Sequence, residues 1–228
     1  MKAMILAAGV GERMRPLTEH TPKPLLQVAG VPLMEYHIRA LASAGFVDLV
    51  VNVSHLAQQI VDYFGDGSHW GLNIAYSHED APLETAGGIQ RALPLLGDGP
   101  FLVVNGDVWI DYDFAALLNY PLQDWESAHL VMVDNPPQHP LGDFCLDSAG
   151  KVSYRPEGES GFTYAGVAVF RQEFFAKVTP GKLALRPLLD AAIAEGALGA
   201  EHYRGDWEDV GTPERLAELD RRVSLSSK

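Results

Sequence analysis

Short apolar runs with the length of buried β-strands alternate with helical patterns through the first half of this 228-residue chain. Strand-like runs and helical patterns occupy in turn residues 4–7, 33–44, 48–53, 55–64, 73–76, 85–96 and 101–105. This order is typical of βαβ units, in which helices join parallel strands and cover both faces of one sheet. The pattern therefore predicts an α/β fold with a Rossmann-like, mostly parallel mixed sheet flanked by helices.

A different pattern follows in the second half, where strand-like pieces are separated by loops rich in Pro and Gly. The strand-like pieces occupy residues 128–133, 144–146, 151–154 and 164–170, and helical patterns return at residues 187–194 and 213–223. We expect these later strands to form a small β-rich lid or platform beside the sheet. No linker divides the chain, so residues 1–223 are predicted to form one domain and the polar residues 224–228 a disordered tail.

The charge and the cysteine content exclude several classes of protein. The chain has 30 acidic and 17 basic residues, and its formal net charge of -13 would repel nucleic acid. Its single cysteine, Cys145, rules out an internal disulfide and fits a reducing compartment. The apolar run at the N-terminus is too short for a signal peptide, and no later run is long enough to span a membrane. We therefore expect a cytoplasmic protein with neither nucleic-acid nor membrane partners; the oligomeric state stays open.

A glycine-containing segment that carries three basic residues follows the first predicted strand. Gly9 and Gly11 allow the backbone to approach a ligand closely, and exposed N–H groups in such a turn bind anions. Arg13, Arg15 and Lys23 lie in the same segment of a chain that otherwise has few positive charges. The segment contains neither a P-loop motif nor the G-x-G-x-x-G motif of dinucleotide-binding folds. The combination of glycines and cations indicates a polyphosphate site.

Two acidic residues far apart in the sequence suit a metal ion. Asp107 follows the predicted strand 101–105, at the carboxyl edge where ligands of open α/β sheets bind. Asp209 precedes a Gly-Thr-Pro helix start whose expected N-cap is Thr212, so Asp209 is not needed as a cap. Mg²⁺ is commonly held by one or two carboxylates together with substrate phosphates. A structural role for Asp107, as a turn former or helix cap, is the alternative.

The whole glycine-containing segment resembles the signature of the sugar-1-phosphate nucleotidyltransferases. The matching residues are Leu6-Ala7-Ala8-Gly9-Val10-Gly11-Glu12-Arg13, Pro16-Leu17-Thr18 and Pro22-Lys23-Pro24-Leu25-Leu26. The resemblance extends over nearly the entire chain and implies transfer of a nucleotidyl group from a nucleoside triphosphate, foremost UTP, to a sugar 1-phosphate. It implies that the residues that contact the nucleotide in this segment are Leu6, Ala8, Gly9, Gly11, Glu12, Arg13 and Lys23. It also implies that Arg13, Lys23 and Asp107 are catalytic and that Asp107 and Asp209 bind Mg²⁺.

Further motifs of the same family have counterparts here. Residues 79–88 are similar to the base-binding motif, which implies nucleotide contacts from Glu79, Thr85 and Gly87, although Glu84 stands where the family commonly has Gly. The resemblance implies a sugar-binding lid, and the implied sugar contacts are Asn105, Gly142, Asp143, Arg155, Thr163 and Tyr164. Arg155 replaces a lysine that is common in the family, which suggests an unusual sugar. Our hypothesis is that Arg155 or Arg204 binds an acidic substituent.

Several functions share part of this pattern. Guanylyl transfer to mannose 1-phosphate and thymidylyl transfer to glucose 1-phosphate would use most of the same motifs. A non-catalytic nucleotide sensor is a second class, but a sensor would be expected to lose one of the implied cations or carboxylates, all of which are present. A glycosyltransferase is a third class, since Asp111-Tyr112-Asp113 has the spacing of a D-x-D metal motif.

Overall fold

The computed structural model describes residues 1–226, with side chains described up to residue 225. The strands are β1 (Lys2–Leu6), β2 (Gln27–Val28), β3 (Val31–Pro32), β4 (Asp48–Val53), β5 (Asn73–His78), β6 (Phe101–Asn105), β7 (Val108–Ile110), β8 (Ala128–Val133), β9 (Phe144–Leu146), β10 (Val152–Tyr154), β11 (Thr163–Phe170), β12 (Leu198–His202) and β13 (Trp207–Asp209). The α-helices are α1 (Leu33–Ser43), α2 (Ala57–Phe64), α3 (Glu84–Leu96), α4 (Ala115–Leu118), α5 (Arg186–Ala194) and α6 (Pro213–Ser226).

Seven of these strands form one sheet in the order β12-β8-β11-β6-β1-β4-β5. β1, β4, β5 and β6 pair in parallel, and β12 pairs in parallel with β8. Only β11 runs the other way, antiparallel to both β6 and β8. The predicted mostly parallel mixed sheet is therefore confirmed.

The carboxyl ends of β1, β4 and β6 meet at one edge of the main sheet. Leu6 of β1 lies opposite Asn52 of β4 on one side and opposite Asn105 of β6 on the other. Because β11 is reversed, its first residue, Thr163, starts from the same edge. The segments that follow these strands therefore surround one region, and this is where open α/β sheets bind ligands.

The structure corrects the expectation that all the later strands lie beside the sheet. β8 and β11 belong to the main sheet, and nearly every residue in them is buried. Their apolar runs are almost uninterrupted, as is usual for strands that are covered on both faces. Of the four later strand-like pieces predicted from the sequence, β9 and β10 alone pair outside it, as a two-stranded sheet. The lid is therefore smaller than the later strand-like runs indicate.

Helices cover both faces of the sheet because side chains alternate between the faces along each strand. Ile5 packs in the core that contains α1 and α2, whereas Met4 packs in the core that contains α3 and α5. A third, smaller core contains Leu219 of α6 and Met14, both buried. This third core fixes the segment that carries the predicted phosphate-binding cations. Within residues 1–226, no helix combines the length and the apolar character needed to cross a membrane.

Helix α6 begins as the sequence predicts. Thr212 Oγ1 accepts a hydrogen bond from the Arg215 N–H at 3.4 Å, and Pro213 takes the first helical position. The helix continues to Ser226, so residues 224–226 are helical. Residues 227–228 of the predicted tail lie outside the described residues.

Candidate active site

A cavity of about 580 Å³ opens at the carboxyl edge of the main sheet. Its volume suits a small-molecule ligand, for which pockets of about 300–1,000 Å³ are typical. All predicted nucleotide contacts except Gly87 line this cavity: Leu6, Ala8, Gly9, Gly11, Glu12, Arg13, Lys23, Glu79 and Thr85. Its lining also includes Asn52, Asn105 and Asp107. Residues that are distant in the sequence thus converge on one cavity.

The turn at Gly11 shapes one wall of the cavity. Gly11 has a φ of 69°, in the left-handed region that glycine adopts most easily. Its carbonyl oxygen accepts hydrogen bonds from the Thr18 hydroxyl at 2.8 Å and from the Met14 N–H at 2.9 Å. A Cβ at this position would lie 2.8 Å from Thr18 Cγ2. Thr18, which is buried, therefore holds the turn closed and makes glycine necessary there.

Two guanidinium groups meet beside the cavity at Gly211, which belongs to its lining. A Cβ on Gly211 would lie 3.1 Å from Arg13 Nη2 and would overlap Arg215 Nη2. Glycine at this position therefore makes room for both side chains. Arg13 and Lys23 both belong to the cavity lining, so two basic side chains are available to phosphate oxygens.

The two predicted metal-binding carboxylates come from one β-ribbon. β7 and β13 pair antiparallel, with Asp209 opposite Val108, and the Val210 N–H donates to Asp107 O at 3.0 Å. Asp107 and Asp209 therefore occupy neighbouring positions, although about a hundred residues separate them in the sequence. Their carboxylate oxygens are hard ligands of the kind that suits Mg²⁺.

Each of these carboxylates forms an ion pair with a basic residue. Lys23 Nζ lies 2.8 Å from Asp107 Oδ2, and Arg215 Nη1 lies 2.8 Å from Asp209 Oδ2. Within residues 1–226, no cluster of three or more His, Cys, Asp or Glu side chains could hold a metal ion. Two carboxylates fit a divalent cation that takes its remaining ligands from substrate phosphates and water.

His37 supports β7 from helix α1. Its Nε2 donates to Val108 O at 2.8 Å, next to Asp107 in the sequence. Burial lowers the pKa of His37 from 6.5 to about 4, outweighing the opposite effects of the Val108 carbonyl and the Asp107 carboxylate. The ring is therefore neutral at pH 7 and adds no positive charge behind the carboxylate.

Asn52 is a buried cavity residue that the sequence reasoning missed. Its Oδ1 accepts a hydrogen bond from the Ala7 N–H at 2.8 Å, and its Nδ2 donates to Glu79 Oε1 at 2.7 Å. Glu79 Oε2 accepts from the Leu83 N–H at 2.9 Å. Both oxygens of the predicted base-contacting carboxylate are thus engaged by the chain itself. One signal was available, since Asn52 is a polar residue in the otherwise apolar run LVVNV.

The start of α3 differs from the expected base-binding turn in two respects. Glu84 has a φ of 61°, so the glutamate adopts the left-handed conformation that suits the glycine common in the family. Gly87 packs against a different loop, where its N–H donates to Leu183 O at 3.1 Å and a Cβ would overlap Gly181 O. The predicted base contact of Gly87 stays a prediction, and its packing gives a separate reason for glycine.

Asn105 belongs to the cavity lining, and its side chain has an unused hydrogen-bond acceptor. Its Oδ1 is buried and has no hydrogen-bond partner among the described residues. Gly166, with a φ of 78°, allows this packing, because a Cβ there would lie 2.8 Å from Asn105 Cγ. A buried polar atom without a partner is rare in proteins, so this oxygen is a candidate ligand-binding group.

Four other predicted sugar contacts gather around the start of β11, outside the cavity lining. Asp143 Oδ2 accepts from the Tyr164 N–H at 2.9 Å, and the Thr163 hydroxyl donates to Asn135 Oδ1 at 2.8 Å. Gly142, with a φ of 69°, packs closely against the Asn135 side chain. The Tyr164 hydroxyl is buried without a partner among the described residues, and burial raises the pKa of Tyr164. The structure thus brings these four residues together.

Arg155, the remaining predicted sugar contact, lies in the loop after β10. Its Nη1 donates to Glu159 O at 2.8 Å and to Pro156 O at 3.3 Å. The guanidinium group therefore braces its own loop and lies outside the cavity lining. Arg204 Nε donates to His202 Nδ1 at 3.4 Å, at the end of β12.

Comparison with known proteins identifies the family. The family model described as nucleotidyl transferase matches residues 2–224. The chain belongs to the nucleotidyltransferase family. This nucleotidyltransferase is 51% identical, over 96% of both chains, to the N-acetylmuramate alpha-1-phosphate uridylyltransferase of Neisseria meningitidis serogroup B. It is 34% identical to the protein of the same name from Caulobacter vibrioides, over 97% of this chain and 96% of that one.

A solved structure agrees with the fold of this nucleotidyltransferase. It is a putative glucose-1-phosphate thymidylyltransferase from Bacillus anthracis, with a TM-score of 0.87 and 20% identity over 98% of this chain and 95% of that one. The likeness supports the architecture alone. The match to the family model and the two relatives confirm the sequence-based resemblance to the sugar-1-phosphate nucleotidyltransferases at the level of the family.

Proposed function

We propose that this nucleotidyltransferase transfers UMP from UTP to N-acetylmuramate α-1-phosphate and releases UDP-N-acetylmuramate and pyrophosphate. Supporting this choice of substrates, the relatives of that name match the chain at 51% and 34% identity over nearly its whole length. The proposal includes the expectation that the reaction belongs to peptidoglycan recycling in the cytoplasm.

The observation that carries the proposal is the charge pattern of the cavity. Arg13 and Lys23 belong to the glycine-containing wall, and Lys23 Nζ lies 2.8 Å from Asp107 Oδ2. The neighbouring ribbon position adds Asp209, which is paired with Arg215. A triphosphate needs cations for its oxygens and carboxylates for its metal. Arg13, Lys23 and Asp107 line this cavity, and the Asp209–Arg215 pair lies on the adjoining ribbon, outside the lining.

The chemistry that this arrangement supports is in-line displacement. A phosphate oxygen of the sugar 1-phosphate attacks the α-phosphorus of UTP, a new P–O bond forms, and the bond to the β-phosphate breaks to release pyrophosphate. The attacking oxygen is already ionised near pH 7, so no side chain has to remove a proton. The contribution of the chain is positioning together with neutralisation of charge by Arg13 and Lys23.

Asp107 and Asp209 would hold the Mg²⁺ that we include in the proposal. When bound, the ion would neutralise phosphate charge and orient the triphosphate. Lys23 Nζ is already paired with Asp107 Oδ2 at 2.8 Å, and both residues line the cavity in which the triphosphate would bind. Lys23 would thus hold the carboxylate in position before the substrate arrives.

For the acceptor sugar, the groups with unused hydrogen-bonding capacity are the best candidates. Asn105 Oδ1 and the Tyr164 hydroxyl are both buried and without a partner among the described residues. We propose that they bind sugar hydroxyl or amide groups. The carboxylate of N-acetylmuramate would need a cation, for which Arg155 and Arg204 are the candidates; unchanged selectivity for this sugar after Arg→Ala at both positions would refute that assignment.

One observation weighs against the alternative of a glycosyltransferase. In the Asp111-Tyr112-Asp113 sequence, Asp111 Oδ1 accepts from the Asp206 N–H at 2.8 Å, and Asp113 Oδ1 accepts from the Ala115 N–H at 3.0 Å. Each carboxylate therefore accepts a hydrogen bond from a backbone N–H, one across the β7–β13 ribbon end and one within its own turn. Their D-x-D spacing has a structural explanation that requires no metal.

The test is pyrophosphate release in the presence of Mg²⁺ across four nucleoside triphosphates and several hexose 1-phosphates, with N-acetylmuramate 1-phosphate among them. We expect turnover to be highest with UTP and that sugar. Highest turnover with GTP and mannose 1-phosphate, or with dTTP and glucose 1-phosphate, would overturn the proposed substrates. The protein would still be a sugar-1-phosphate nucleotidyltransferase. Absence of turnover in a folded sample that still binds nucleotide would favour a sensor.

A further inference from the structure

A single chain of hydrogen bonds joins the two walls of the cavity. It begins at the Ala7 N–H, directly before the glycine turn, and passes through the Asn52 side chain to Glu79 Oε1. It ends where Glu79 Oε2 accepts from the Leu83 N–H, two residues before Thr85 of the opposite wall. The distances along it are 2.8, 2.7 and 2.9 Å. The segment after β1 and the segment before α3 are thus connected through two side chains.

Both side chains in this chain of hydrogen bonds are buried. Asn52 is 3% exposed and Glu79 is 5% exposed. A buried carboxylate is unfavourable unless hydrogen bonds satisfy it, and here the Asn52 amide and the Leu83 N–H donate to Glu79. Glycine at position 88 leaves room for the pair, since a Cβ there would lie 2.7 Å from Glu79 Oε1 and 2.8 Å from Asn52 Nδ2.

The donors and acceptors fit together in only one way. The Ala7 N–H requires an acceptor, so Asn52 must present Oδ1 to it and Nδ2 to Glu79. The Leu83 N–H also requires an acceptor, which the second oxygen of Glu79 supplies. Every donor in the chain of hydrogen bonds is therefore matched. Changing either side chain alone breaks the match, whereas changing both together can restore it.

We propose that Asn52 and Glu79 are a positioning pair that fixes the spacing between the phosphate-binding wall and the wall that carries Thr85. This inference rests on the proposed function, because a nucleotide that contacts both walls at once is what would make their spacing matter. Glu79 then acts on the nucleotide through Leu83 and Thr85. The pair governs affinity for the nucleoside triphosphate and leaves the affinity for the sugar 1-phosphate nearly unchanged.

The test uses Asn52→Asp, Glu79→Gln and the double variant. In Asn52→Asp two carboxylates face each other without a donor between them, and in Glu79→Gln one N–H group loses its acceptor. In the double variant the introduced glutamine can donate its amide N–H to the introduced aspartate and accept from the Leu83 N–H through its carbonyl oxygen. The other oxygen of that aspartate can accept from the Ala7 N–H. We expect each single change to weaken UTP binding by about 10–100-fold and the double variant to recover most of it.

Asn73→Asp is the matched control. Asn73 Nδ2 donates to Asp48 Oδ1 at 3.0 Å, which is the same kind of pair between β4 and β5 at the opposite edge of the sheet. Asn73→Asp should leave UTP affinity unchanged. Calorimetric titration measures the affinity for UTP independently of turnover. Steady-state kinetics give the KM values for UTP and for the sugar 1-phosphate, and thermal unfolding measures stability.

Three results would overturn the positioning pair. The losses of UTP affinity from the two single changes could add up in the double variant, or affinity could fall equally for UTP and for the sugar 1-phosphate. The losses of UTP affinity could also parallel the decrease in the unfolding midpoint. If Asn52→Asp alone prevents folding, the comparison of Glu79→Gln with the double variant still decides. Failure of the wild-type protein to bind UTP would instead count against the proposed function, and the same comparison would then use the nucleotide that does bind.

Discussion

Lys23 Nζ lies 2.8 Å from Asp107 Oδ2, so the lysine of the glycine-containing segment is paired directly with the carboxylate that follows β6. The Lys23 side chain is 9% exposed, and that of Asp107 is 45% exposed. The buried member of the pair is thus the cation, held in place by a carboxylate that water and a metal ion can still reach. A substrate phosphate would give this lysine a second anionic partner.

Replacing Lys23 with Met should reduce kcat/KM on the order of a hundredfold, because a preorganised charge is lost from the phosphate site. Stability should change little, since the 45% exposed Asp107 carboxylate can be solvated without its partner and Met replaces the apolar stem of the buried lysine. Steady-state kinetics and thermal unfolding measure the two effects. The control is Lys151→Met, which removes a lysine outside the cavity lining. Equal loss of activity in both variants would contradict the role of Lys23.

Asp209→Asn should raise the Mg²⁺ concentration needed for half-maximal activity by about tenfold or more. The amide keeps the shape of the carboxylate but removes its charge, and it leaves Arg215 without its anionic partner at 2.8 Å. A Mg²⁺ titration of activity, together with direct Mn²⁺ binding, measures the change. Asp206→Asn is the control next to the same ribbon, since the Asp206 carboxylate pairs with Arg222 at 2.6 Å. An identical shift in both variants would argue against a specific metal ligand.

Glu84→Gly should raise the free energy of unfolding by about 0.5–1 kcal/mol, because glycine adopts the left-handed backbone more easily. The glutamate has a φ of 61°, and its contact with Lys182 at 3.4 Å is exposed and contributes little. Chemical denaturation measures the gain. Glu84→Ala removes the same carboxylate and keeps a Cβ, so it should not be stabilising. If the glycine and alanine variants were equally stable, backbone strain at this position would be excluded.

The pH dependence of stability should reflect His37. Burial lowers its pKa to about 4, whereas an unfolded histidine titrates near 6.5. Between these values the unfolded state binds more protons than the folded state, so the free energy of unfolding decreases as the pH falls from 6.5 to 4. The loss is on the order of 3 kcal/mol when complete.

His37→Gln tests this assignment, because glutamine does not titrate and its amide can still donate to Val108 O. The variant should show a flatter decrease in stability over the same pH range. Denaturation with urea at several pH values measures the slope for both proteins. Parallel curves would show that other groups cause the decrease.

Most of the main sheet could be predicted from the sequence. The bounds of β4, β6 and β8 agree with the predicted residues 48–53, 101–105 and 128–133, because uninterrupted apolar runs are enough to define strands that are buried on both faces. β12 was missed, since its sequence LGAEH contains glycine and a charge. β7 and β13 have three residues each and exist only as partners of each other. Pairing between residues so far apart cannot be read from a local pattern.

The geometry of the candidate site also depends on contacts between residues that are far apart in the sequence. The motifs identified the cavity-lining residues of the glycine turn and both carboxylates, yet the ribbon that brings Asp107 and Asp209 together comes from tertiary pairing. The Asn52 to Glu79 hydrogen bond depends on the register of β4 and on the loop after β5, neither of which is local. The tight packing around Gly87 likewise comes from a loop almost a hundred residues away.

The most direct test of nucleotidyl transfer follows the two ends of UTP separately. The protein is incubated with Mg²⁺, N-acetylmuramate 1-phosphate and UTP labelled in either the α- or the γ-phosphate, and the products are separated. We expect the α-label in the UDP-sugar and the γ-label only in pyrophosphate. Release of the γ-label as inorganic phosphate, or its transfer to the sugar, would contradict the account.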